Sequence, residues 1–150
     1  IEWNAGKPAV LSDTPLKMHS IQPQPIGVVT LYPGISVDVI ANILQQPVKA
    51  LILLTYGVGN APQNPTMLKL LREASARGVI IVNLSQCLRG KVNMGGYATG
   101  NALADAGVLS GFDMTTEAAL AKLHFLLSQP LTSEEIRTLM QQDLRGELSH

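Results

Sequence analysis

The sequence contains little of what several large classes of protein depend on. Cys87 is the only cysteine among 150 residues, which excludes a disulfide framework within the chain and indicates a reducing compartment. The aromatic residues are two Phe, one Trp and three Tyr, too few to build base-stacking platforms. Charged residues make up only 15%, and eleven basic side chains balance eleven acidic ones, so a nucleic-acid partner is not expected.

Long apolar runs are also missing from the chain. None approaches the roughly 18 residues that a membrane-spanning helix needs, so we expect no membrane partner. The first residues lack the charged region and apolar core of a secretory signal, which favours a cytoplasmic location. The chain starts without an initiator Met, and we interpret it as a processed product or a piece of a longer protein.

Hydrophobic residues, at 46%, are sufficient for a globular core. Three short, almost continuously apolar runs predict strands that are buried on both faces, as in a parallel sheet. Helical patterns alternate with them, so the fold class is α/β: three layers, with a small parallel sheet of about four strands between helices. The predicted strands are 26–32, 50–55 and 79–84, and the predicted helices are 36–45, one from Asn64-Pro65 to Gly78, 99–105, 116–128 and one from Thr132.

Local signals mark several helix ends. Ser36 and Asn64 are suitable N-caps, and Pro65 suits the first turn of a helix. Gly78 is suited to the left-handed conformation that follows many helices. Thr132 and Glu135 have the spacing of a capping box.

The two ends of the chain differ from its centre. Residues 1–22 are rich in Pro and polar residues and predict an interdomain linker or extended arm. Residues 23–150 are predicted to form the α/β domain. Within it, the last residues, 145–150, are expected to fray.

The glycine pair in "LLTYGVGNAPQNP" follows the second predicted strand and raises the question of a phosphate-binding loop. The dinucleotide fingerprint needs a third glycine where this chain has Pro62, and an acid at the end of the next strand, where Asn83 and Ser85 stand. The Gly-Lys-Ser/Thr ending of a Walker A loop is also missing. The sequence therefore disfavours a nucleotide site, and no cofactor is predicted.

Three segments in order, "QPQPIGVVTLYPGIS", "YGVGNAPQNP" and "IIVNLSQCLRGKVNMGGYATGNALADAGVLSGFDMTTEAALAKLHFLL", carry a likeness that covers roughly residues 20–148. Together they resemble the C-terminal domain of type I, cytoplasmic bacterial L-asparaginase. The resemblance implies a Rossmann- or flavodoxin-like domain. It also implies the hydrolysis of L-asparagine to L-aspartate and ammonia by a threonine nucleophile, which needs a nearby base.

In the family, that threonine chemistry belongs to a larger N-terminal domain, in a T-G-G-T segment and a T-D-T segment with a lysine behind it. Neither segment occurs here, and Asp13-Thr14 is a lone pair in the Pro-rich arm. No catalytic residue is therefore assigned, and the isolated chain is predicted to be inactive. The resemblance implies an N-terminal catalytic domain as partner, homo-oligomers (dimers or tetramers), and an apolar face that the N-terminal domain covers.

The resemblance also implies a second, regulatory asparagine pocket on the loops after the second and third strands. Glycines there allow close approach of a ligand to the backbone, and polar side chains supply partners. The resemblance implies a basic residue near the end of the second strand to hold the effector's carboxylate, but Leu54 stands there, so both a retained pocket and a weakened or lost one stay open. The matching residues are Tyr56, Gly57, Gly59, Asn60, Ser85, Gln86 and Cys87, and Tyr97 is implied at a subunit interface.

Two alternatives stay open. The chain could be a stand-alone amino-acid-binding or protein-interaction module without catalysis. A weaker alternative is the related glutamyl-tRNA amidotransferase subunit, which shares this domain, although the balanced charge argues against direct tRNA contact. For single residues, Cys87 is read first as a small hydrophobe at a strand end and second as a residue lining the pocket. His19, His124 and His150 lack metal-ligand spacing.

Overall fold

The computed structural model describes residues 15–95 and 98–149, and it bears out the α/β prediction. Strands and helices alternate from β1 to β4, and two further helices follow. The elements are β1 (Ile26–Thr30), α1 (Val37–Ile43), β2 (Ala50–Thr55), α2 (Pro65–Ala76), β3 (Ile80–Ser85), α3 (Ala98–Asp105), β4 (Leu109–Ser110), α4 (Thr116–Leu127) and α5 (Ser133–Met140).

The strands form one parallel sheet in the order β1-β2-β3-β4 within the described residues. Val28 pairs with Ile52, Ile52 with Val82, and Val82 with Leu109. Because each crossover moves one strand along in the same direction and is right-handed, α1, α2 and α3 all lie on one face of the sheet. The helices α4 and α5 cover the other face, which completes the three layers.

Each face of the sheet has its own hydrophobic core. Leu51, Leu53 and Ile81 point towards the first three helices and meet buried residues such as Leu71 and Leu103. The neighbouring strand positions point the other way and pack against α4 and α5. This second core includes Ala50, Ile52, Ile80, Val82, Leu84, Leu123, Leu126, Ile136 and Met140.

The predicted helix caps are confirmed. Ser36 Oγ accepts a hydrogen bond from the N–H of Asp38 at 3.2 Å, and Asn64 Oδ1 accepts from Thr66 N–H at 2.9 Å. Thr132 and Glu135 form both bonds of a capping box. Caps of this kind each stabilise a helix by about 1 kcal/mol. They fix where α1, α2 and α5 begin, and so where the strand–helix loops end.

The segment before β1 has no regular secondary structure over residues 15–25, and it lies against α4. The N–H of Gln22 donates to Ser128 Oγ at 3.0 Å, and the His19 ring meets the edge of Phe125 with centroids 5.2 Å apart. Leu16 and Met18 remain 90% and 85% exposed. The boundary predicted at residue 22 stays a prediction, and residues 1–14 lie outside the described part.

The expectation that the last residues fray is wrong for residues 145–149. Leu148 is buried in the second core, and the N–H of Ser149 donates to Asp113 Oδ1 at 2.7 Å. Glu147 forms an ion pair with Lys122 of α4. These contacts join positions more than 20 residues apart, so local sequence could not reveal them.

One part of the second sheet face is left open. The helix α4 contacts β2 and α5 contacts β3, and of β1 only Ile26, at its start, packs against the second core among the described residues. Val28, which shares this face with Ile52, is 41% exposed, and Tyr32 just after β1 is 53% exposed. The fold thus leaves an accessible strip along the later part of β1, which includes Val28 and Tyr32.

Candidate functional site

The candidate site lies at the carboxyl edge of the sheet, where β2 ends in a closed turn. The N–H of Tyr56 donates to the Asn60 carbonyl, and the N–H of Asn60 donates back to the Tyr56 carbonyl, both at 2.8 Å. The N–H of Gly59 also bonds the Tyr56 carbonyl, at 3.0 Å. Gly57 and Gly59 adopt φ values of +52° and +104°, which is why this turn uses glycine.

The loop after β3 is joined to this turn by Ser85. The hydroxyl of Ser85 donates to the carbonyl of Gly57 and accepts the N–H of Cys87 at 3.0 Å. Because β2 and β3 are adjacent and parallel, Thr55 and Ser85 are register partners and the two loops leave the sheet side by side. The structure therefore brings together the glycine turn and the Ser85–Cys87 loop, as the sequence-based placement requires.

Beneath the turn lies a buried polar pair that sequence reasoning did not assign to the site. Thr55 Oγ1 donates to Asn83 Oδ1 at 2.6 Å, and Asn83 Nδ2 donates to the carbonyl of Gly59 at 3.0 Å. Both side chains are fully buried. The available signal was a polar residue near the end of two otherwise apolar strands, although its partner could not be read from the sequence.

Gln86 forms hydrogen bonds to the ends of two neighbouring strands at the same edge of the sheet. Its side-chain amide donates to the carbonyl oxygens of Leu31 and Leu54, at 2.7 and 2.8 Å. Its backbone N–H donates to the Thr55 carbonyl at 2.9 Å. Gln86 thus joins the ends of β1, β2 and β3 at the carboxyl edge of the sheet.

Tyr56 is the aromatic residue of the candidate site. Its ring packs against the first core, while its hydroxyl oxygen is buried and has no hydrogen-bond partner among the described residues. A buried hydroxyl without a partner is costly, and it marks a position where a polar ligand atom would be favourable.

The remaining predicted residues are placed as follows. Cys87 is exposed and free, and Leu54 is half-buried on the face that α4 and α5 cover. Tyr97 lies outside the described residues, so its interface role stays a prediction. In the part of the chain that the structure describes, no group of three or more His, Cys, Asp or Glu side chains is arranged to hold a metal ion.

The loop after β4 contains Asp113, an acid with a shifted pKa, and this loop is linked to the glycine turn by backbone hydrogen bonds. Burial alone would raise the pKa of Asp113, but hydrogen bonds from Ser149 and the charge of Lys91 lower it below its usual value. In the same loop, the carbonyl of Phe112 accepts a hydrogen bond from the backbone N–H of Val92 at 2.9 Å. The next residue, Asn93, bonds the carbonyl of Val58 at 2.8 Å, which links this loop region to the glycine turn.

A separate surface depression of about 650 Å³ lies at the opposite edge of the sheet, before β3 and β4. Arg72, Asp105, Glu134 and Arg137 contribute two charges of each sign to its lining. Arg137 is already engaged by the carbonyl of Gly107 at 2.7 Å. Ligands of parallel α/β sheets bind beyond the carboxyl ends of the strands, so the candidate site stays with the glycine turn.

The fold and this site define an α/β domain of a known class. The sequence profile of the glutaminase/asparaginase C-terminal domain family matches residues 25–140, and the chain belongs to that family.

The relatives are consistent with this assignment. L-asparaginase 1 of Escherichia coli K12 is 66% identical over 142 residues, which are 95% of this chain and 42% of the relative. The human 60 kDa lysophospholipase is 48% identical over 89% of this chain and 23% of its own length. The crystal structure of L-asparaginase I from Vibrio cholerae superposes with a TM-score of 0.89 at 68% identity, covering 92% of this chain and 42% of that one. The chain thus spans less than half the length of these relatives.

None of the described helices combines the length and the apolar character that crossing a membrane requires.

Proposed function

We propose that this chain is the effector-binding and assembly domain of a type I L-asparaginase. The hydrolysis of L-asparagine to L-aspartate and ammonia then depends on threonines of an N-terminal domain that this sequence does not contain. High identity to two asparaginases of this type, each along about two-fifths of its length, supports the proposal. On this account the isolated chain binds L-asparagine and does not hydrolyse it.

One observation carries the proposal: the hydroxyl of Ser85 bridges the glycine turn and the Ser85–Cys87 loop. The bridge holds two backbone segments at the carboxyl edge of a parallel sheet, where small ligands bind. These segments contain Gly57 and Cys87, both exposed, and Tyr56, whose buried hydroxyl has no hydrogen-bond partner among the described residues. Backbone N–H groups suit a carboxylate, and carbonyl and hydroxyl oxygens suit an ammonium group, so an amino acid matches this set of groups.

The partners follow from the same account. The accessible strip along β1, with Val28 and Tyr32, is a surface for the N-terminal domain or for another subunit of a dimer or tetramer. A free, exposed Cys87 is compatible with the reducing conditions of the cytoplasm, where we place the enzyme.

The test is a calorimetric titration of L-asparagine into the 150-residue chain, with L-aspartate as the control ligand and ammonia release followed in parallel. We expect saturable binding of L-asparagine and no ammonia. Ser85→Ala removes the bridge and should weaken binding at least about tenfold. Ser133→Ala, an exposed serine at the opposite edge of the sheet, is the matched control and should bind as the parent does.

Each contrary result has a distinct meaning. A flat titration would contradict the effector-binding role of this domain. Ammonia release by the purified chain would contradict the assignment of catalysis to another domain. Equal binding by the two serine variants would place the ligand elsewhere on the molecule.

A further inference from the structure

The end of the sheet contains two polar side chains that are completely shielded from solvent, Thr55 in β2 and Asn83 in β3. Both project on the face of the sheet that is otherwise packed with Leu51, Leu53 and Ile81. Burying a hydroxyl and an amide in an apolar layer is unfavourable unless their hydrogen bonds are made. Their presence at this depth therefore calls for a structural or functional reason.

The hydrogen bonds of this pair fix the orientation of the Asn83 amide. The hydroxyl of Thr55 is a donor to Asn83 Oδ1, at 2.6 Å, and it also lies 3.2 Å from the carbonyl of Leu84. Because Oδ1 accepts from Thr55, the Nδ2 group must face the other way, where it donates to the carbonyl of Gly59 at 3.0 Å. Thr55 thus orients the Asn83 amide so that its Nδ2 donor, rather than its Oδ1 acceptor, faces the glycine turn.

The turn rests directly on this amide. A methyl group added at Gly59 would lie 3.0 Å from Asn83 Nδ2 and 2.7 Å from Val92 Cγ1. Gly59 is buried although the turn as a whole lies at the edge of the sheet. The position of the turn is therefore set from below by Asn83 and from the side by Val92.

We propose that Thr55 and Asn83 are positioning residues that hold the Tyr56–Asn60 turn in its ligand-binding conformation and thereby set the affinity for L-asparagine. The proposal rests on the proposed function of this site. A site that is ordered before the ligand arrives does not lose binding free energy to ordering the loop. Without the bond from Thr55, the Asn83 amide can rotate, and the turn samples conformations that bind the ligand poorly.

The test compares Thr55→Val, which keeps the shape but removes the hydroxyl, with Thr55→Ser, which restores it. We expect Thr55→Val to bind L-asparagine about tenfold more weakly, as for the loss of one buried hydrogen bond, and Thr55→Ser to stay within about threefold of the parent. Ile136→Val is the matched control, because it loosens the second core and does not touch the turn. It should lower the melting temperature and leave the affinity unchanged.

A readout without ligand separates this proposal from the proposed function. Amide hydrogen exchange at Gly59 and Asn60 should be about tenfold faster in Thr55→Val than in the parent and unchanged in Ile136→Val. If the parent fails to bind L-asparagine, the proposed function fails, and the exchange rates still decide whether Thr55 holds the turn. Unchanged exchange in Thr55→Val, or equal affinity of Thr55→Val and the parent, would overturn the positioning role. An affinity loss in Ile136→Val would also overturn it, because general loosening would then explain the effect.

Discussion

Lys122 Nζ lies 2.6 Å from Glu147 Oε1, and this ion pair joins α4 to the segment 145–149. The two side chains are only 4% and 15% exposed, so water screens the pair weakly. The backbone N–H groups of Leu144 and Arg145 also donate to the Glu147 carboxylate. The segment 145–149 is therefore held to α4 by the hydrogen-bonded carboxylate of Glu147 and by the buried side chain of Leu148.

The pH dependence of stability follows from this carboxylate. Burial alone would raise the pKa of Glu147, but the bonds from Lys122, Leu144 and Arg145 lower it from 4.5 to about 2. Because the pKa is lower in the folded state, the stabilisation is fully present above about pH 4.5 and is lost as the pH falls to about 2. Glu147→Gln should lower the free energy of unfolding by about 3 kcal/mol at pH 7.

Urea unfolding at several pH values from 7 to 2 measures this effect. The difference between Glu147→Gln and the parent should shrink below pH 4.5 and vanish near pH 2. Glu134→Gln is the control. Glu134 is 86% exposed and its carboxylate lies as far as 4.0 Å from Arg137 Nε, so the substitution should change the free energy of unfolding by less than about 0.5 kcal/mol. A difference for Glu147→Gln that is independent of pH would contradict the assigned pKa.

The two glycines of the turn predict unequal costs of substitution. Gly57→Ala places a methyl group in open space at φ +52°, so only the left-handed backbone opposes it, at about 1 kcal/mol. Gly59→Ala has φ +104° and meets Val92 and Asn83, so it should cost about 3 kcal/mol. Denaturant unfolding of the two variants compares them directly. Equal costs would show that the packing on Gly59 is looser than the structure shows.

Tyr56→Phe separates the stability of the fold from the binding of the ligand. The Tyr56 hydroxyl has no partner among the described residues, so its removal should leave the free energy of unfolding unchanged or raise it by up to about 1 kcal/mol. Affinity for L-asparagine should fall at least about fivefold if the hydroxyl meets the ligand, as the account requires. Tyr32→Phe, at an exposed ring, is the control. Unchanged affinity in Tyr56→Phe would remove Tyr56 from the site.

Leu54→Arg tests the departure from the family pattern. Leu54 is half-buried at the end of β2, next to the exposed end of β1. A guanidinium there should strengthen binding of L-asparagine about tenfold through one charge-assisted hydrogen bond to the carboxylate. Leu54→Met, which is unbranched and uncharged, should not. Titration calorimetry measures both variants, and equal affinities would show that this position does not face the ligand.

Local signals predicted much of the fold. Ser36, Asn64 and the Thr132–Glu135 capping box each act within four residues, and the structure has each of them in place. The sequence predicts a sheet of about four strands but does not locate β4. Leu109–Ser110 is too short to form a pattern and is a strand only through its pairing with β3.

The site was predicted less completely than the fold. Resemblance indicated both loops, but the sequence does not show that Ser85 bridges them or that Thr55 orients Asn83. These bonds join residues 28 positions apart and depend on the register of β2 with β3. The docking of Leu148 was missed for the same reason, since its partners come from the second core.

The measurement that tests the central claim most directly is a nuclear magnetic resonance titration of L-asparagine into the uniformly ¹⁵N-labelled chain. The account predicts saturable shifts of the backbone amides of Gly57, Gly59, Asn60 and Cys87, with little change around Arg72 and Arg137 at the opposite edge. Shifts centred on the opposite edge, or no shifts at saturating ligand, would contradict an asparagine site between the glycine turn and the Ser85–Cys87 loop.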